Sequence, residues 1–198
     1  MSSIQEKPWS VHQFEAYRPH MANWVRRTVT PHLAPSTFNV RRLLIHGQVK
    51  VGKREIVEYI SLREHNDPYR HHIFISSFHR KSDENQRTEL EQHGLKVFSL
   101  FSKKKQDEAI EYIEDQLIIP DNRIIIHWDE CDYGTGERQT LAKIYRHFRD
   151  NEQVFNILYS ATPEEMLFSN EIIQDDEFVS EFYEEGIGYS APGMKPIM

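Results

Sequence analysis

Two stretches of the sequence carry residue types that could do chemistry on phosphate groups. The first, residues 47–54, has the spacing G-x-x-x-x-G-K of a phosphate-binding loop, or P-loop. Its glycines let backbone N–H groups turn towards phosphate oxygens, and Lys53 is placed to reach the β- and γ-phosphates. The candidate binding residues are Gly47, Gln48, Val49, Lys50, Val51, Gly52, Lys53 and Arg54.

The position after Lys53 departs from the usual motif. A serine or threonine there would give its hydroxyl to Mg²⁺, but this chain has Arg54. We therefore expect a water to take that place, or the metal to be held through Asp129 and the phosphates alone. The guanidinium of Arg54 can compensate in part by pairing with a phosphate or with a carboxylate such as Asp129.

The second stretch is an apolar run, residues 124–128, that ends in Asp129 and Glu130. A carboxylate at the end of such a strand can hold Mg²⁺, and its neighbour can polarise an attacking water. Further along, another apolar run leads directly into the sequence S-A-T-P at residues 160–163. We expect the loop and the carboxylates to meet in space.

The order of these three motifs, a P-loop, D-E-C-D and S-A-T-P, resembles the first RecA-like domain of superfamily 2 helicases of DEAD/DECD type and related translocases. The resemblance implies ATP and Mg²⁺ as cofactors. It implies that Asp129 is the Mg²⁺ carboxylate and Glu130 the catalytic base, beside the catalytic Lys53. Ser160 and Thr162 would couple the state of the nucleotide to a nucleic-acid site.

The same resemblance suggests where nucleic acid would bind. In helicase-like proteins the segment after the second strand contacts the nucleic-acid backbone, and hydroxyls with basic side chains suit phosphate contacts. A polar loop without such a role is an equally good interpretation. The candidate contacts are Ser76, Ser77, His79 and Arg80.

Recognition of adenine departs from the family pattern. In the family a glutamine just after an R-P pair often reads the base, whereas Met21 stands at that place here. Gln13 is one substitute, and the alternative is that it is an ordinary solvent-exposed glutamine of a helix. A metal site at His65, His71 and His72 is disfavoured, because these histidines lack cysteine partners and H-E-x-x-H spacing.

The elements that must position these residues alternate between strand and helix. This alternation predicts a RecA-like α/β domain with a mostly parallel sheet and helices on both faces. Parallel strands present their carboxyl ends at one edge, where ligands bind in open α/β sheets. Strands are predicted over residues 40–46, 72–76, 96–101, 124–129 and 154–159, with helices between them and one or two amphipathic helices before the first strand. The helix between the second and third strands is predicted over Glu84–His93, and residues 30–39, which hold Pro31 and Pro35, are expected to form a loop. After residue 168 we expect a short helix or an edge strand and then a linker-like tail.

The predicted organisation has three parts, and the resemblance covers about residues 12–170. Residues 1–39 form a helical extension packed on the core, 40–170 the P-loop domain, and 171–198 an acidic and then Gly- and Pro-containing tail or linker. In the family a second RecA-like domain supplies an arginine finger. We expect this chain to be a fragment, a truncated product or a subunit that borrows the finger, and to hydrolyse ATP very slowly alone.

The composition bears on the cellular compartment of the protein and on how it could bind nucleic acid. The 198 residues are 38% hydrophobic, and no apolar run approaches the roughly 20 residues that span a bilayer, so no membrane role is expected. A single cysteine, Cys131, fits an intracellular, reducing compartment such as cytoplasm or nucleus. The net charge of −7 argues against holding nucleic acid by bulk electrostatics alone.

Two other functions fit parts of the pattern. The first is a degenerate P-loop module that holds a nucleotide or a partner without turnover, which Arg54 and Met21 favour and Glu130 disfavours. The second is a nucleotide or small-molecule kinase, which fits the loop but does not predict S-A-T-P after the fifth strand. The sequence leaves open whether the nucleic acid is DNA or RNA.

Overall fold

A computed structural model describes residues 10–33, 41–47, 52–76, 81–99, 102–129, 140–160 and 178–183. These residues form helices and strands in the alternating order that the sequence predicts. The helices are α1 (Val11–Tyr17), α2 (Pro19–Thr28), α3 (Thr30–Leu33), α4 (Lys53–Glu64), α5 (Lys81–Gln92), α6 (Lys103–Leu117) and α7 (Thr140–Phe148). The strands are β1 (Arg42–His46), β2 (Arg70–Ser76), β3 (Lys96–Ser99), β4 (Arg123–Asp129), β5 (Val154–Ser160) and β6 (Phe178–Phe182).

The strands form one six-stranded sheet in the order β3-β2-β4-β5-β1-β6, and every pairing between neighbours is parallel. The predicted parallel α/β sheet is confirmed. Strand β5 lies between β1, which delivers the P-loop, and β4, which delivers Asp129. This order puts the two motif-bearing strands one strand apart, with their carboxyl ends at the same edge.

Helices cover both faces of the sheet, as predicted. Helices α1 to α5 contribute to one apolar core, in which Phe14, Val25 and Ile56 are buried against strand residues such as Phe155. Helices α6 and α7 cover the other face. There Ala109, Ile113, Ile144 and Phe148 pack against Leu44, Ile73, Ile126 and Leu158.

Several element boundaries follow local rules that the sequence displays. Pro19 begins α2, where its missing N–H costs nothing. Gly94 follows the end of α5 with φ +83°, a conformation that favours glycine. The predicted start of α5 at Glu84 was too late, because the helix begins at Lys81.

Two regions differ from the expected pattern. Residues 30–33 were expected to form a loop but form the short helix α3, with the Thr30 hydroxyl donating to the Val25 carbonyl at 3.3 Å. Pro31 is compatible with this helix because it lies in the first turn. The segment after residue 168, expected to be a short helix or an edge strand, contributes strand β6 beside β1.

Candidate functional site

The carboxyl edge of the sheet brings three of the candidate residues close together. The Gly47 backbone N–H, just beyond β1, donates to the Ser160 carbonyl at the end of β5 over 3.3 Å. On the other side of β5, Trp128 is in register with Leu158, so Asp129 ends β4 beside Tyr159. Gly47, Ser160 and Asp129 therefore lie on three adjacent strand ends.

Lys53 also lies at this edge, where its side chain contacts Gly47. It is the first residue of α4, and its ammonium donates to the Gly47 carbonyl at 3.1 Å. The lysine thus spans the two ends of the candidate loop, residues 47 and 52. An ammonium held by a loop carbonyl lies where an incoming phosphate would find a positive charge.

Gly52 shapes the junction between the loop and α4. It is the N-cap residue, with φ +89°, and no side chain caps the helix there. A Cβ at this position would lie only 2.7 Å from Oε2 of Glu55, 2.8 Å from Nη2 of Arg18 and 3.0 Å from Cε of Met21. The backbone conformation favours glycine, whereas the three close atoms are the ends of flexible side chains that could shift.

An ion pair between a buried arginine and a half-buried glutamate beside Gly52 was not foreseen from the sequence. Nη1 of Arg18 lies 2.6 Å from Oε2 of Glu55, and the Arg18 side chain is only 4% exposed. Glu55 belongs to the first turn of α4, where a carboxylate is favoured by the helix dipole. The sequence feature that could have pointed to this pair was Glu55, an acidic residue two positions after Lys53.

Arg54 points away from the expected partners. Its guanidinium pairs with Glu89 of α5, and its Nε lies 3.5 Å from Oε1 of Glu58. Glu58 is 1% exposed and one helical turn further along α4, so the spacing of four residues aligns the two side chains. Arg54 therefore pairs with carboxylates other than Asp129, and its pairing with a phosphate stays a prediction.

Gln13, the possible substitute for adenine recognition, has other contacts, and so does Met21, which stands at the position of the family's glutamine. The Gln13 backbone N–H donates to the Ser10 hydroxyl at 3.2 Å, and the Ser10 N–H donates to the Gln13 side-chain oxygen at 2.8 Å. This reciprocal pair is a capping box at the start of α1. Met21 is fully buried and packs against Gly52 at the start of α4.

Several predicted site residues lie outside the described part of the chain, so their roles stay predictions. Ser76 is described, and it ends β2 in register with Asp129. Those outside are Gln48, Val49, Lys50, Val51, Ser77, His79, Arg80, Glu130 and Thr162.

Behind the edge, a chain of buried polar side chains crosses three strands. His72 Nε2 lies 3.0 Å from Glu64 Oε2, and His72 Nδ1 lies 3.0 Å from His127 Nε2. His127 Nδ1 in turn lies 3.0 Å from the Tyr159 hydroxyl. Both ring nitrogens of His72 are thus engaged in this chain. Among the described residues no group of three or more His, Cys, Asp or Glu side chains is placed to hold a metal.

Burial sets the protonation of the inner part of this chain. Desolvation, and then the neighbouring His72, holds the pKa of His127 well below its ordinary value. Desolvation, and then the charge of Asp129, raises the pKa of the Tyr159 hydroxyl well above its ordinary value. His127 is therefore neutral and Tyr159 keeps its proton, while the charge of Asp129 acts on the phenol.

Comparison with known proteins supports the fold through one solved structure, the cytoplasmic domain of EssC. No family model matches the sequence, and no curated protein matches it. Among solved structures, the cytoplasmic domain of EssC superposes with a TM-score of 0.50 at 16% identity, over 79% of this chain and 35% of that chain. Domain III of the replication initiation protein DnaA from Thermotoga maritima has a TM-score of 0.49 at 14% identity, over 84% of this chain and 63% of that chain.

The cytoplasmic domain of the type VII secretion ATPase EccC from Thermomonospora curvata has a TM-score of 0.47 at 15% identity, over 68% of this chain. This chain spans 35% of the EssC chain and 18% of the EccC chain. The parallel sheet and its strand order give the fold of a RecA-like P-loop α/β domain. Within the described ranges, no helix is long and apolar enough to cross a membrane.

Proposed function

We propose that this chain is an ATP-binding P-loop domain that serves as one half of a helicase- or translocase-like motor acting on nucleic acid. The observation that carries the proposal is the shared edge at which Lys53 meets the Gly47 carbonyl while Asp129 lies one strand away, beyond Ser160. The ammonium of Lys53 and the carboxylate of Asp129, at the same edge as Gly47, suit a nucleoside triphosphate and its divalent cation.

The described residues fit both cofactors. Gly52, the N-cap residue, gives α4 no side-chain cap, and Lys53 adds a positive charge, so phosphate oxygens would be held by the backbone N–H groups there. Asp129 would hold Mg²⁺, which supplies charge neutralisation between the phosphates. The carboxylate of Glu55 is near the loop, but Arg18 neutralises it.

A second candidate function shares the binding step and lacks turnover. Arg54 stands where a hydroxyl would be expected, and it is engaged with Glu58 and Glu89 rather than with the edge. This favours a nucleotide-binding or interaction module. The two functions differ in whether ATP is hydrolysed when single- or double-stranded nucleic acid and a second RecA-like domain with an arginine finger are supplied.

The test of ATP binding is Lys53→Ala, measured by titration calorimetry with Mg²⁺ and ATP. We expect measurable binding to be lost, because the loop loses the ammonium that reaches the β- and γ-phosphates. Lys103→Ala is the matched control, since Lys103 is exposed at the start of α6. Unchanged affinity in Lys53→Ala, with the fold intact by circular dichroism, would show that the loop is only a connection.

A further inference from the structure

Arg18 connects the N-terminal helices to the start of α4. It lies between α1 and α2, where it is the C-cap residue of the first helix and the N-cap residue of the second. Its Nη1 lies 2.6 Å from Oε2 of Glu55, and its Nη2 lies 2.8 Å from the position that a Cβ on Gly52 would take. Arg18 therefore places a buried positive charge beside the N-terminus of the helix that begins at Lys53.

The position of Glu55 in α4 brings its carboxylate to the same place. Gly52 is the N-cap and Lys53 the first helical residue, so Glu55 is the third residue of the helix. From this position a glutamate side chain can reach back over the first turn of its own helix. Oε2 of Glu55 lies 2.7 Å from the position of a Cβ on Gly52, at that end. A carboxylate there and an incoming phosphate are both attracted to the positive end of one helix, and they repel each other.

The guanidinium of Arg18 offsets this repulsion. The Arg18 side chain is 4% exposed and that of Glu55 is 29% exposed, so water screens their charges only in part. An arginine is always charged in proteins. Whatever else the two side chains contact, loss of the guanidinium makes the surroundings of Gly52 more negative by one elementary charge.

We propose that Arg18 is a positioning residue for the phosphates of the proposed nucleotide site, acting through Glu55. It holds and neutralises the carboxylate of Glu55, which leaves the N-terminus of α4 to the ligand. The inference rests on the proposed function, because the ligand that it concerns is a nucleoside triphosphate. It adds that the N-terminal helices, together with the P-loop, set the affinity for phosphate.

The first variant is Arg18→Met, which keeps an unbranched side chain and removes the charge. The Kd for ATP is measured by titration calorimetry with Mg²⁺ on the full 198-residue chain. We expect it to rise about tenfold, because the charge of Glu55 then acts on the phosphates. An equal Kd in the parent and in folded Arg18→Met overturns the inference and leaves the proposed function standing.

The double variant Arg18→Met with Glu55→Gln separates an effect of charge from an effect on the fold. Removing one member of an ion pair can destabilise a protein, whereas neutral replacement of both members is often tolerated. We expect the double variant to bind ATP within about twofold of the parent, because the two changes of charge cancel. A folded double variant that binds as weakly as Arg18→Met overturns the inference, since the loss then does not come from the charge of Glu55.

The single variant Glu55→Gln distinguishes the charge of Glu55 from its packing. It keeps the size of the side chain and removes the anion that repels phosphate, so it should bind ATP at least as tightly as the parent. If Glu55→Gln lowers the affinity as much as Arg18→Met does, the pair acts by holding the local structure, and the inference is overturned.

Arg26→Met is the matched control. It removes a guanidinium from the same N-terminal helices, where Nη1 of Arg26 lies 3.1 Å from Oε1 of Glu15. It changes the net charge of the protein by the same amount as Arg18→Met, and its Kd for ATP should stay near the parental value. Equal rises of Kd in the two variants overturn the inference, because the effect is then one of net charge.

The parent chain separates this inference from the function on which it rests. A parent that binds no ATP overturns both. A parent that binds ATP with an affinity that depends on Lys53 but not on Arg18 overturns the inference alone.

Discussion

The two faces of the sheet both carry an apolar core, but they bury different polar groups beside it. Consecutive residues of β4 show this most directly, because Ile126 packs in the apolar core under α6 and α7 while His127 faces the helices around α4. On the α6 and α7 face, Trp128 donates to Asn156 at 2.9 Å amid aliphatic side chains. The α4 face holds the hydrogen-bonded side chains of Glu64, His72, His127 and Tyr159. It also buries Glu58, which is 1% exposed.

The difference indicates which buried residues are explained by their contribution to stability and which are not. An apolar core gains from every methylene it buries, whereas buried polar groups at best recover the hydrogen bonds that they lose with water. The polar residues of the α4 face are therefore poorly explained by stability alone. They surround the helix that begins at Lys53, which is consistent with a functional role for that face.

The largest effect is expected from Ile126→Ala on the apolar face. Removal of a fully buried isoleucine side chain should lower the free energy of unfolding by about 2–5 kcal/mol. The ATP affinity of the folded molecules should not change, because Ile126 faces away from α4. Urea unfolding and calorimetry measure the two quantities.

Ile118→Ala is the control, since that side chain is 75% exposed and its loss should matter little. A large fall in ATP affinity in folded Ile126→Ala would break the separation between the faces.

The next effect concerns Glu130, the predicted general base. Glu130→Gln should lower any ATP turnover by about two orders of magnitude or more, the usual contribution of a general base. Binding and unfolding should remain near the parental values, because the change keeps the size of the side chain. Glu152→Gln, at an exposed position before β5, is the control. Hydrolysis at the parental rate would remove Glu130 from the mechanism.

The smallest effect is expected from Arg54→Thr, which changes the α4 face itself. The new hydroxyl should lower the Mg²⁺ concentration needed for ATP binding several-fold without restoring fast turnover. A loss of stability should accompany it, because buried Glu58 loses its ion pair with Arg54. Arg87→Thr, which removes an exposed pair with Glu91 on α5, is the control. Equal Mg²⁺ dependence in the parent and Arg54→Thr would contradict this account.

Much of the fold could be predicted because it depends on local patterns. Apolar runs between helical segments predicted five strands of one parallel sheet. The motif G-x-x-x-x-G-K predicted a loop followed by a helix over Glu55–Arg63, and the helix in fact begins two residues earlier, at Lys53. The strand order was not predicted, since periodicity does not encode which strands are neighbours.

The rest depends on partners that are distant in sequence. His72 and His127 are 55 residues apart, and Arg54 and Glu89 are 35 apart. No spacing rule connects such pairs. The sequence therefore predicted neither the hydrogen bonds that join Glu64, His72, His127 and Tyr159 nor the pairing of Arg54 with Glu89. The Arg18–Glu55 pair was missed for the same reason.

Strand β6 determines whether β1 can pair with a strand of another copy of this protein. It pairs with β1 along Arg42–His46, and the Tyr183 N–H donates to the His46 carbonyl at 2.8 Å. Tyr183 is then fixed by edge-to-face packing on Trp24, with ring centroids 5.0 Å apart. A long apolar edge strand is a template for addition of a strand from another chain and for aggregation. Since β6 covers that edge, the strand that delivers the P-loop is withheld from intermolecular pairing.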